Sequence, residues 1–153
     1  MKPLLLFILL FSPLSMRRPE CVCIKDPNSS EEKIKAERRQ AFDKATAVFV
    51  GKVVALDAYK VTFQLEKRWK GDSSPAEVVL STGAKPFWEG GPPLTKECSY
   101  QFHLGEEYLV CAFGPADRME ADVCLTLPIK DAVAEENGLD QIKPHETVRQ
   151  RSQ

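Results

Sequence analysis

The sequence predicts a mainly β domain: a small barrel of five strands with one flanking helix on the N-terminal side and one on the C-terminal side. Three observations carry this. Apolar spacing changes from a helical to a two-residue period at Ala47; Val61, Phe63 and Leu65 alternate cleanly with Lys60, Thr62, Gln64 and Glu66; and further short apolar runs follow, separated by Gly and Pro.

The chain opens with Met1-Lys2 and an apolar run from Leu4 to Phe11, extended to Leu14 and stopped by Ser15 and Arg17-Arg18. A membrane span needs about 20 apolar residues, so the run has the length of a secretory h-region. Residues 1–20 are therefore expected to be a signal peptide, 21–140 the folded domain and 141–153 a disordered polar tail. Export implies a secreted, extracellular or periplasmic product.

Asn28-Ser-Ser-Glu-Glu opens the first helix, with Ser29 and Glu32 at capping-box spacing. Ile34, Ala41, Phe42 and Ala45 form its apolar stripe, and the charged residues between them form a solvated back. Ala47–Leu56 and Lys60–Glu66 make an antiparallel pair across the turn Asp57-Ala58, with Gly51 marking a bulge or sharp coil. Trp69-Lys-Gly71 ends the second strand. Glu77–Thr82 is the third strand, Gly83–Cys98 a long aperiodic loop of the kind that carries function, Glu107–Phe113 the fourth strand and Asp122–Leu127 the fifth. Pro128 ends the sheet, and Ile129–Glu136 is a short helix stopped by Asn137-Gly138. The expected core is Phe42, Val48, Val50, Val53, Val61, Phe63, Leu65, Val79, Leu109 and Leu125. An oligonucleotide/oligosaccharide-binding (OB) type barrel is the best-known five-strand solution for such a chain.

Composition narrows the function. A net charge of −1 and a pI of 6.2 give no basic face for nucleic acid. The only histidines are His103 and His145, too few for a catalytic triad or a metal cluster to be assembled, and neither a Gly-rich phosphate loop nor a nucleophile elbow occurs. No enzyme chemistry and no cofactor is expected.

The five cysteines, Cys21, Cys23, Cys98, Cys111 and Cys124, read as disulfide material in an exported domain. In an extended Cys-Val-Cys the two α-carbons are roughly 6.5–7 Å apart, at the edge of what one bridge accepts, so Cys21 and Cys23 are expected to reach different partners. Cys111 lies in the apolar run Leu109–Phe113, where a thiol behaves as a small hydrophobe, and is expected to stay free. Cys98 and Cys124 remain as partners for the N-terminal pair, in either pairing.

Taken together, Cys21-Val22-Cys23, the strand Ala47–Val53, Trp69-Lys70-Gly71, Cys98-Ser99-Tyr100-Gln101-Phe102, Glu107–Val110 and Cys124 ahead of Pro128 and a helix form an order that resembles the netrin-like superfamily. It is most similar to the N-terminal domain of the tissue inhibitors of metalloproteinases, over about residues 21–140. The resemblance implies an OB barrel with the bridges Cys21–Cys98 and Cys23–Cys124. It also implies that the free amine and carbonyl of Cys21 chelate the catalytic zinc of a target protease, with Val22 in the adjoining pocket. The implied contact ridge comprises Cys21, Val22, Cys23, Ile24, Cys98 and Ser99 with the Asp57-Ala58 turn. The partner would be a zinc metalloprotease or another extracellular protein, bound by a monomer. This chemistry requires cleavage after Glu20. Cleavage near Ser15 would leave Met16–Glu20 attached, turn the amine into an amide, and make the domain a non-inhibitory interaction module. The third disulfide of the family's N-terminal domain and its C-terminal domain have no counterpart in this chain.

Overall fold

A computed structural model describes residue 23 and residues 28–72, 76–86, 88–94 and 98–148. The expected signal peptide, and Cys21, Val22 and Ile24, lie outside the described residues.

Helix α1 (Glu31–Lys44) is capped by Ser30, whose hydroxyl accepts from the Lys33 amide at 3.3 Å. The cap is thus Ser30 and not Ser29, one residue later than the spacing suggested. Only the last turn of α1 reaches the core: Phe42 and Ala45 are buried, whereas Ile34 is 43% exposed.

Strand β1 (Ala47–Leu56) pairs antiparallel with β2 (Lys60–Lys70) on one side and with β6 (Glu107–Phe113) on the other. β2 continues to β3 (Glu77–Ser81), and β3 meets β7 (Glu120–Ala121) in parallel at Ser81 and Glu120. β7 pairs with β6, and the ring β1-β2-β3-β7-β6 closes as a five-stranded barrel of the OB type. Three register shifts in β1 let one strand coil enough to serve both neighbours. One of them falls between Val50 and Gly51, where a Cβ on Gly51 would stand 3.0 Å from the Gln64 carbonyl oxygen, so that a side chain there would crowd the β2 backbone.

The core has two layers. Phe49, Val53, Val61, Phe63, Leu65, Leu80, Tyr108 and Val110 fill the barrel. Val48, Val50, Trp69, Leu109 and Cys111 face the other way, under Phe42 of α1 and Leu139 of α2 (Val133–Ile142). Burial on both faces explains why β1 and β6 read as unbroken apolar runs rather than alternating ones. Of the expected core, Val79 and Leu125 are instead 49% and 38% exposed; Leu80 faces inward in place of Val79, so β3 is one residue out of the anticipated phase.

Four further elements depart from expectation. Asp122–Leu127 is not a strand: the fifth position of the barrel is taken by β7, and a turn separates it from β8 (Leu127–Pro128), which adds to the outer part of β6. The carboxylate of Asp122 makes that turn by accepting from the amides of Cys124 (2.8 Å) and Leu125 (3.1 Å). The loop after β3 contains a ribbon, β4 (Lys85–Pro86) with β5 (Pro93–Leu94). The second helical segment begins as a 3-10 turn, Ile129–Asp131, and α2 runs through Asn137-Gly138, because Gly138 is where the Arg38 guanidinium lies against α2 and pairs with Glu135 at 2.7 and 3.1 Å. Residues 141–148 are ordered rather than a loose tail: β9 (Glu146–Thr147) pairs with β2 at Arg68 and Lys67. Residues 149–153 lie outside the described residues.

Candidate functional site

The site is assembled from three pieces of chain at the point where the barrel closes. The first is the cystine. Cys23 is bonded to Cys124, with α-carbons 5.4 Å apart, so the segment ahead of α1 is fastened to the Asp122 turn just after β7.

The second piece is the stretch from Cys98 to Phe102. Cys98 is disulfide-bonded and exposed, and Ser99 is half-buried. The partner the resemblance gives to Cys98 is Cys21, outside the described residues. Two residues on, aromatic rings anchor the stretch: Tyr100 and Phe102 are 4.7 Å apart, and Phe102 meets Phe63 at 5.0 Å and Tyr108 at 5.1 Å. The two Phe102 contacts with Phe63 and Tyr108 are edge-on and fix the ring positions. The Tyr108 hydroxyl donates to Glu106 at 2.8 Å and accepts from the His103 amide at 3.1 Å. Burial, reinforced by that bond to a carboxylate, pushes the Tyr108 phenol up to about 12.

The third piece is the β1–β2 turn. Asp57 accepts from the amides of Tyr59 (2.6 Å) and Lys60 (2.8 Å), and these bonds hold its carboxyl below the ordinary range. Thr82 then ties the turn to the end of β3, donating its hydroxyl to the Ala58 carbonyl at 2.7 Å and its amide to Tyr59 at 2.9 Å. Ser81 and Thr82 also line a small cleft with Cys98, Ser99, Tyr100 and Glu120. The end of β3 therefore joins the Asp57–Tyr59 turn to the Cys98-Ser99 segment.

Beside this cleft lies an open groove of about 680 Å3, walled by Ser81–Lys85 on one side and Phe113–Asp122 on the other, with Lys85, Arg118, Glu120 and Asp122 among its lining. Neither Thr82 nor the groove was anticipated from the sequence. The available signal was Ser81-Thr82-Gly83, where the two hydroxyls accept from the amides of Gly83 and Ala84 and turn the chain out of β3.

Other reactive groups are placed elsewhere. Cys111 is a free, buried thiol in β6; burial, with the nearby Asp122 charge, pushes it up to about 12. His103 is exposed, while His145 meets the Trp69 ring at a tilt, with centroids 5.5 Å apart, and lies 2.9 Å from Asp140. Among the described residues no group of three His, Cys, Asp or Glu side chains is placed to hold a metal ion, and no helix is long and apolar enough to cross a membrane.

The chain matches no protein-family model and no curated protein.

Proposed function

We propose that the domain is a secreted inhibitor of zinc metalloendopeptidases that acts through the amine and carbonyl oxygen of Cys21. The observation that carries the reading is the cystine Cys23–Cys124, which fastens the chain two residues after Cys21 to the closing end of a five-stranded barrel. A catalytic zinc keeps an open position for water, and a bidentate main-chain ligand takes that position without a side chain. An α-amine, with a reference pKa of about 7.7–8.0, gives up its proton readily to a metal. A ligand held by a cystine loses little freedom on binding, so a small contact can be tight. Ser99 beside Cys98, and the turn held by Thr82, supply the flanks of the wedge, and Val22 fills the apolar pocket next to the metal.

The test compares the chain beginning at Cys21 with the same chain carrying one extra Ala in front, against a panel of zinc endopeptidases. The first inhibits and the second does not, because the added residue converts the amine into an amide. Val22→Gly weakens inhibition by about 1.5–3 kcal/mol, the value of burying such a side chain. Equal inhibition by both chains, or none by either, replaces this reading with that of a non-inhibitory interaction module. The exposed Trp88 and Leu94 of the β4–β5 ribbon would then be the first surface to examine.

A further inference from the structure

Strand β2 is longer than the strand beside it. β3 pairs with β2 from Lys60 to Gln64, and the Leu65 amide donates to the Ala76 carbonyl at 2.8 Å, so on that side β2 projects beyond its neighbour from Glu66 onward. A projecting strand leaves a row of main-chain donors and acceptors, which folded proteins pair or cover. Here the segment after α2 covers it. β9 pairs antiparallel with Lys67 and Arg68, and the Val148 amide donates to the Glu66 carbonyl at 2.9 Å. The Val148 side chain packs against the barrel core, and the Glu146 carboxylate meets the Arg68 guanidinium at 3.1 Å.

The seat and its occupant differ in how firmly they are built. Arg68 is 6% exposed, and its other guanidinium nitrogen donates to the Asp72 carbonyl at 2.7 Å, so it is held in position to receive a carboxylate. The occupant is a two-residue strand with both residues exposed, entered through Lys143-Pro144, where α2 has ended. Upstream it is held by one carboxylate oxygen of Asp140, which accepts from Trp69 Nε1 at 2.8 Å and from the His145 amide at 3.2 Å, with His145 Nδ1 at 2.9 Å. A segment with so little buried surface opens at far lower cost than the core strand beneath it.

We propose that residues 143–148 are a releasable strap and that the β2 edge under it is a docking site for an extended segment of another polypeptide that carries a carboxylate opposite Arg68. The chain's own occupant defines the chemistry. Main-chain pairing to Glu66–Arg68 supplies affinity, Arg68 selects a carboxylate, and the position of Val148 selects an aliphatic side chain two residues later. This site uses none of the Cys21 ridge, so it stands or falls apart from the proposed inhibition.

The test uses the full chain with its disulfides intact and a fluorescent peptide copying residues 143–148. Glu146→Lys places a cation opposite Arg68 and releases the strap, which is read as faster exchange of the Val148 amide while the Val110 amide stays protected. The variant then binds the peptide about tenfold tighter than the unaltered chain, and a peptide with Lys in place of its glutamate loses that gain. The proposal is overturned if the Val148 amide remains as protected as before, if the opened variant does not bind the peptide, or if the glutamate and lysine peptides bind alike. It is also overturned if the unaltered chain forms a dimer that Glu146→Lys abolishes, because the edge then serves a second copy of this chain.

Discussion

Cys23 is bonded to Cys124 across 101 positions of sequence, which makes the start of the folded domain and the turn after β7 a single covalent unit. A loop of that length restricts the unfolded chain strongly. Replacing both cysteines with serine lowers unfolding free energy by about 2–5 kcal/mol, measured by denaturant titration. If the proposed inhibition is right, it also weakens the inhibitor through the loss of a fixed Cys21.

The Cys111 thiol is closed to reagents in the folded state. At pH 8 a chromogenic disulfide reagent leaves it unmodified, and the thiol appears when denaturant is added. The sign of its pH effect follows from a folded value pushed up to about 12 from an ordinary 9. The stabilisation is complete below pH 9 and is lost as pH rises from there toward 12, so the denaturation midpoint falls more steeply over that window than in Cys111→Ala.

Asp140 behaves in the opposite sense. Burial works against its charge, but the hydrogen bonds from His145 and Trp69 outweigh that and hold it below the ordinary 3.8. Its stabilisation is present above that value and is lost as pH falls through the lowered one. Asp140→Asn is therefore less stable than the unaltered chain at pH 7, and the difference shrinks below about pH 4 in denaturant titrations.

Gly138 and Arg38 are coupled. A Cβ at Gly138 would stand 2.5 Å from the Arg38 guanidinium carbon, so Gly138→Ala gains helix propensity but dislodges Arg38 from Glu135. Alone the substitution is close to neutral; in an Arg38→Ala background it stabilises by about 1 kcal/mol, the helix preference of Ala over Gly. A double-mutant cycle by thermal denaturation measures the coupling.

Thr126 is 1% exposed, and its hydroxyl has no hydrogen-bond partner among the described residues. A buried, unpaired hydroxyl carries a desolvation cost that an apolar group of similar shape avoids. Thr126→Val raises stability by about 1 kcal/mol in denaturant titrations.

Much of the architecture is written locally. The alternation of Val61, Phe63 and Leu65 defines β2 and its inward face, Glu107–Phe113 coincides with β6, and Gly51 sits where β1 and β2 approach so closely that a side chain would crowd them. These are short-range statements, because side-chain period and steric size are properties of consecutive residues. The extended Cys-Val-Cys likewise carried the expectation of two separate bridges, of which Cys23–Cys124 lies within the described residues.

Other features depend on partners distant in sequence. Val48 and Val50 lie under helices while Phe49 and Val53 fill the barrel, and nothing local distinguishes the faces of a strand that is apolar on both. Asp122–Leu127 has strand composition, yet the bonds from the Cys124 and Leu125 amides to the Asp122 carboxylate make it a turn and leave the fifth barrel position to Glu120-Ala121. Residues 141–148 have the composition of a polar tail, but the projecting edge of β2 and the side chains of Trp69, Arg68 and Asp140 give them a place. The sequence alone determined that β1, β2, β3 and β6 extend, that α1 coils and which cysteines could bridge, since those follow from neighbours along the chain. Tertiary structure decided strand facing, barrel closure and the seat of the C-terminal strap, because each depends on a surface contributed by residues far away in the chain.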